Sequence, residues 1–196
     1  MSGIVDQDKE IAKRVLQQSA KPYQLADGQL VHITFSIGIS VFPEDGRDMK
    51  RLFSAADQAM YQAKSSGRYC FQFFTESMQQ EADRHGWISN ELKAAIEADL
   101  LKVYYRPIFN AEDGRFNKFE VLLRWPHPEQ GCISPAEFIP VAEKCGLIRE
   151  LGIYVREKAC QQSRKWLDAG HDLSVSVNVS TLEFLDPDFS LSLSKP

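Results

Sequence analysis

The sequence predicts an α/β chain, and two patterns carry that class. Apolar and polar residues alternate with a period of two over 31–41, 116–125 and 173–179, which is the signature of strands with one buried face. Between these runs, 48–64 and 149–168 carry apolar residues at helical spacing. In the second part of the chain the order is strand, helices, strand, which predicts the opening of a parallel α/β barrel.

Composition narrows the function classes. The chain has 196 residues, 43% hydrophobic and 26% charged, an ordinary globular balance with room for one or two domains. A formal net charge of -4 argues against a binder of nucleic-acid polymers, which would carry a basic stripe. The four cysteines, Cys70, Cys132, Cys145 and Cys160, form no Cys-x-x-Cys pair and the histidines have no ligand-like spacing to them, so idle thiols in a reducing cytoplasm are expected rather than a zinc site. No segment approaches the ~20 apolar residues of a membrane span.

In chain order, Ile4, Val5, Ile11, Ala12, Val15 and Leu16 share one helical face, and Lys21-Pro22 ends that helix. Asp27-Gly28 signals a turn. The strand at 31–41 follows, and its Gly38 marks a kink or a close backbone approach. After Pro43-Glu44-Asp45-Gly46 comes the helix at 48–64, with Leu52, Phe53, Ala56, Ala59, Met60 and Ala63 inward; Ser66-Gly67 ends it and a short strand occupies 69–74. From 75 to 99 the pattern predicts helix on both sides of a break near His85-Gly86-Trp87, the second piece capped by Ser89-Asn90. Strands at 103–107 and 116–125 flank the Asn110-Ala111-Glu112-Asp113-Gly114 turn. Ser134, Pro135 and Glu137 make a capped helix start that Gly146 closes, and the next helix puts Leu151, Val155, Ala159 and Trp166 inward.

On the strand at 116–125, Glu120, Leu122 and Arg124 lie on one face and Phe119, Val121 and Leu123 on the other. Glu120 and Arg124 are roughly 13 Å apart, too far for an ion pair but suited to two points on one extended anion.

Two sets of motifs resemble known families. Phe35-Ser36-Ile37-Gly38-Ile39-Ser40, Pro43-Glu44-Asp45-Gly46 and the run from Ala56 to Arg68 resemble the C-terminal half of a GGDEF domain, the diguanylate cyclase family. That resemblance implies GTP-phosphate contacts at Lys64 and Arg68, which are equally well read as cations at a helix C-terminus. The Gly-Gly-Asp-Glu-Phe hairpin is absent, so cyclase activity by this chain alone is not expected. Tyr104-Tyr105-Arg106-Pro107, Phe119 to Trp125, Ser134 to Pro140 and Ser176-Val177-Asn178-Val179-Ser180 resemble an EAL domain, the cyclic di-GMP phosphodiesterase family. The fold implied is a partial GGDEF domain over 1–75, a helical connector over 76–90, the N-terminal part of an EAL barrel over 91–189 and a tail over 190–196, a family chain shortened at both ends. The resemblance implies metal ligands at Glu120 and Asn178 for Mg²⁺ or Mn²⁺, and substrate contacts at Arg124, at Arg106 and in the Pro135 to Phe138 turn. Arg106 stands where the family has Gln and Val121 where it has Ala.

The expected role is in cyclic di-GMP signalling, related to the phosphodiesterases but catalytically incomplete as a single chain. Two other roles remain open on the residues: a non-catalytic cyclic di-GMP receptor, and an interaction module that self-associates or docks through exposed strand edges. A cytoplasmic location is expected.

Overall fold

A computed structural model describes residues 2–112, 114–187 and 189, with the side chains of 2–6 excepted. The side chains of Ile4 and Val5 of the expected apolar face, Asp113 of the expected turn and the tail at 190–196 lie outside what is described. The chain forms two compact units, 1–84 and 85–196.

In the first unit, α1 (Ser2–Ser19) buries Ala12 and Leu16. A small hairpin follows, β1 (Tyr23–Gln24) antiparallel to β2 (Leu30–Val31), its turn held by the Asp27 carboxylate accepting from Gln29 N at 3.0 Å. β3 (Ile37–Ile39) runs parallel to β4 (Phe71–Phe73), and α2 (Met49–Ser65) crosses between them, capped by Asp48. The strand expected over 31–41 is therefore split. Alternation marks which residues can face a core, but a ladder needs a partner, and β1 and β4 supply only two and three pairs. Gly38 is a close approach rather than a kink: a Cβ there would overlap the backbone of Ala56 and Met60. Helix α2 buries Ala55, Ala59 and Ala63, the first two packed with Phe74 just after β4, and Phe53, expected inward, is 65% exposed. Arg68 and Tyr69 take left-handed backbone angles after Gly67, which delays β4 by two residues relative to the expected strand.

The expected break near Gly86 is not formed. Helix α3 runs unbroken over Glu76–Glu97, so Ser89 and Asn90 lie inside it and cap nothing, and the division between units falls within it. A helical glycine costs about 1 kcal/mol, whereas each fully buried large apolar side chain returns roughly 1.5–3 kcal/mol. Ile88 and Leu92, buried completely, outweigh Gly86.

In the second unit, β5 (Lys102–Asn110) pairs antiparallel with β6 (Arg115–His127) through the Asn110–Gly114 turn, where the Asn110 side chain accepts from Glu112 N at 3.0 Å. β7 (Gly131–Ile133) pairs with the end of β6, while β8 (Ser174–Ser176) lies parallel to its middle. Between β7 and β8 run α4 (Pro135–Cys145), capped by Ser134 and closed by left-handed Gly146, and α5 (Ile148–Asp168); α6 (Thr181–Phe184) follows β8. The two-sided pattern of β6 holds: Val121, Leu123 and Trp125 are buried while Glu120, Leu122 and Arg124 are only half-buried. Trp125 is the centre of this core, stacked on Trp87 and edge-on to Phe138. At the end of α3, Asp99 has a left-handed backbone and is tied to α5 by Lys158 Nζ (2.7 Å) and by the Tyr154 hydroxyl, which donates at 2.7 Å. Among the described residues no helix is long and apolar enough to cross a membrane.

Candidate functional site

The site grows from the register of three strands. Antiparallel pairing sets Arg106 of β5 directly opposite Glu120 of β6, and opposite residues in such a ladder project from the same face. On the other side, parallel pairing sets Ser176 of β8 against Glu120, so the chain delivers Asn178 two residues later to the same carboxylate. Both oxygens of Glu120 are engaged. Arg106 Nη2 forms an ion pair with Oε2, and Asn178 Nδ2 donates to Oε1 at 3.2 Å. The Asn178 amide first, and the Arg106 guanidinium next, hold the Glu120 carboxyl below its usual range.

The remaining expected residues are distributed differently. Arg124 shares the face of Glu120, and its Nη1 donates to the Leu123 carbonyl at 2.7 Å. Lys102 stands opposite Arg124 in the ladder, a third cation on this face that alternation alone does not single out. Pro135 occupies the first turn of α4 and is half-buried. Phe138 is 0% exposed and packs in the core against Trp125. Lys64, in the last turn of α2, and Arg68, beyond its end, are exposed residues of the first unit. That unit also has an apolar groove of 520 Å³ lined by residues including Ile11, Val15, Tyr23 and Phe35, and none of the expected site residues borders it.

The loop carrying Asn178 is fixed by a buried polar network. Ser180 caps α6 in a reciprocal capping box with Glu183, and its hydroxyl donates to Glu143 at 2.7 Å. Glu183 pairs with Arg156 of α5 at 2.7 Å and sits where Gly152 leaves room: a Cβ on Gly152 would overlap the carboxylate. Sequence reading passed over these positioning residues, although Ser180-x-x-Glu183 is a legible capping box.

As arranged, these residues do not fit a divalent ion. Mg²⁺ and Mn²⁺ need several oxygen ligands, while here one carboxylate faces a guanidinium and an amide N–H group. Among the described residues no group of three or more His, Cys, Asp or Glu could hold a metal.

Comparison with known families matches residues 89–195, more than half the chain, to the EAL domain. The chain belongs to the EAL domain family. Ahead of the EAL segment, residues 4–70 match the diguanylate cyclase GGDEF domain. The bifunctional diguanylate cyclase/cyclic di-GMP phosphodiesterase MucR of Pseudomonas aeruginosa is 41% identical over 89% of this chain and 25% of its own length. The cyclic di-GMP phosphodiesterase PdeR of Escherichia coli is 37% identical over 90% of this chain and 26% of its own. The chain thus spans about a quarter of these relatives. Among solved structures, the PaMucR phosphodiesterase in its cyclic di-GMP complex is 41% identical, with a TM-score of 0.52 over 55% of this chain and 44% of that one.

Proposed function

We propose that this chain is part of a cyclic di-GMP signalling protein and that its EAL segment binds the dinucleotide without hydrolysing it on its own. The observation that carries this reading is the likeness to a phosphodiesterase solved with cyclic di-GMP, on a chain whose β5–β6 face carries Lys102, Arg106 and Arg124 along one side, with Arg106 beside Glu120. Those cations suit the phosphodiesters of the ligand, and Arg guanidinium matches phosphate in a two-point fork. EAL domains as a family are metal-dependent phosphodiesterases. Metal-assisted hydrolysis needs carboxylates to hold the ion against the phosphate, and at this site the Glu120 carboxylate is already paired. The location proposed is the cytoplasm, where a nucleotide messenger would reach it.

A thermal melt with and without cyclic di-GMP tests the reading. Ligand that binds only the folded chain stabilises it by about 2.7 kcal/mol at a hundred-fold excess over the dissociation constant, so the midpoint rises. An unchanged midpoint at millimolar nucleotide would refute binding, and release of linear dinucleotide by the purified chain would refute the lack of hydrolysis.

A second reading rests on β5, an edge strand among the described residues, which exposes Tyr104, Ile108 and Phe109. Exposed apolar edges favour pairing with a second copy of the chain. Sedimentation that stays monomeric up to high concentration would sink it.

A further inference from the structure

We propose that Arg106 occupies the cation position at Glu120 and excludes divalent metal from it, so that the ligand face of this chain carries a built-in organic cation. Three observations support the assignment. The ladder register sets the guanidinium directly opposite the carboxylate, so the pairing is fixed by the backbone and not by a chance side-chain excursion. The second carboxylate oxygen accepts from Asn178 Nδ2, which turns the donor side of the amide, not its oxygen, towards Glu120. The Arg106 side chain is 65% exposed and that of Glu120 21%, so the carboxylate faces the open side of the sheet through the guanidinium.

The chemistry favours the arginine over a metal. A guanidinium keeps its charge at every pH at which the protein is folded, so its hold on Glu120 does not relax in neutral or alkaline solution. An incoming dication would meet a fixed positive charge within a few ångströms and would have to displace it. It would then find one carboxylate in place of the several oxygens a hard ion requires. Arg106 is thus a specificity-determining residue, selecting an anionic phosphodiester over a metal-bound one. That last step rests on the cyclic di-GMP reading above; the exclusion of metal does not.

The test is a Mn²⁺ titration of the full chain without nucleotide, read by paramagnetic broadening of backbone amide signals around Glu120 and Asn178. The parent chain should show no selective broadening there at Mn²⁺ concentrations that broaden the R106Q variant, whose affinity should be at least tenfold higher. R106M should gain in the same direction, because it also removes the charge, and it serves if R106Q does not fold. The gain should vanish in R106Q/E120Q. Selective broadening in the parent chain equal to that in R106Q, or a gain that survives E120Q, would overturn the proposal. Because no nucleotide is present, failure to bind cyclic di-GMP leaves this result standing, and metal binding by the parent chain leaves the binding reading standing.

Discussion

Gly152→Ala should destabilise the second unit even though alanine is the better helix former. Gly152 lies in α5, where the Glu183 carboxylate fills the space a Cβ would need. The methyl must evict the carboxylate, and with it go the 2.7 Å bond to Arg156 and the reciprocal bond to Ser180 N at 3.3 Å. Removing one partner of a buried ion pair costs about 3–5 kcal/mol. The side chains of Arg156 and Glu183 are 14% and 4% exposed, and Arg156 also lies over the Phe189 ring at 5.2 Å. Its partial access to water puts the loss at the lower end, about 3 kcal/mol. Replacing a helical glycine returns about 1 kcal/mol, which leaves a net loss of about 2 kcal/mol. Urea unfolding followed by tryptophan fluorescence measures this selectively, because Trp87, Trp125 and Trp166 all lie in the second unit. In a Glu183→Ala background the clash disappears, so the same Gly152→Ala change should there stabilise by about 1 kcal/mol. A neutral or stabilising effect in the parent chain would refute the steric reasoning.

Phe138→Ala should cost about 3–5 kcal/mol in the same assay, since a completely buried ring is removed from against Trp125; a loss below about 1 kcal/mol would contradict the core assignment. Gly86→Ala should stabilise by about 1 kcal/mol, because α3 is continuous there and a Cβ would meet open space; destabilisation would show that the glycine is needed for a bend. Burial first, and the Asp99 carboxylate next, raise the Tyr154 hydroxyl above its ordinary value of 10, so its contribution is complete below about pH 10 and is lost as pH rises beyond it. Asp99 is lowered by its hydrogen bond from Lys158 first and from Tyr154 next, so its contribution is complete above about pH 4 and is lost on acidification. Unfolding midpoints across both pH ranges check the two signs, and Tyr154→Phe should flatten the alkaline limb.

What was legible in the sequence was whatever is written locally. The alternation in 116–125 assigned the two faces of β6 correctly, and Ser134 and Gly146 marked both ends of α4, because strand pleat and cap chemistry act over a few residues. The helix does not break at Gly86 because the burial of Ile88 and Leu92 outweighs the local propensity of one glycine. The strand at 31–41 was overextended because alternation says nothing about partners. β7 was missed because it is a three-residue ladder with no distinctive pattern of its own, whereas α6 began with a readable capping box. At the site, Glu120, Asn178 and Arg106 were each singled out, but their meeting depends on two registers that no single stretch encodes. The partner of Glu120 is therefore a tertiary fact.

The same two registers differ in when they can form. The β5–β6 ladder closes through a tight turn, so its ends find each other with little loss of chain freedom. The pairing of β8 with β6 spans α4 and α5 and is only three residues long. Contacts that close long stretches of chain come late in folding, and short ladders open first in local fluctuations. The Glu120–Arg106 pair therefore belongs to the early hairpin and persists whenever β8 lifts away, whereas the Asn178 contact is the last made and the first released. In hydrogen exchange the amides of Ser174–Ser176 should lose protection well before those at the centre of β5 and β6, so that the Glu120 face breathes from its β8 side.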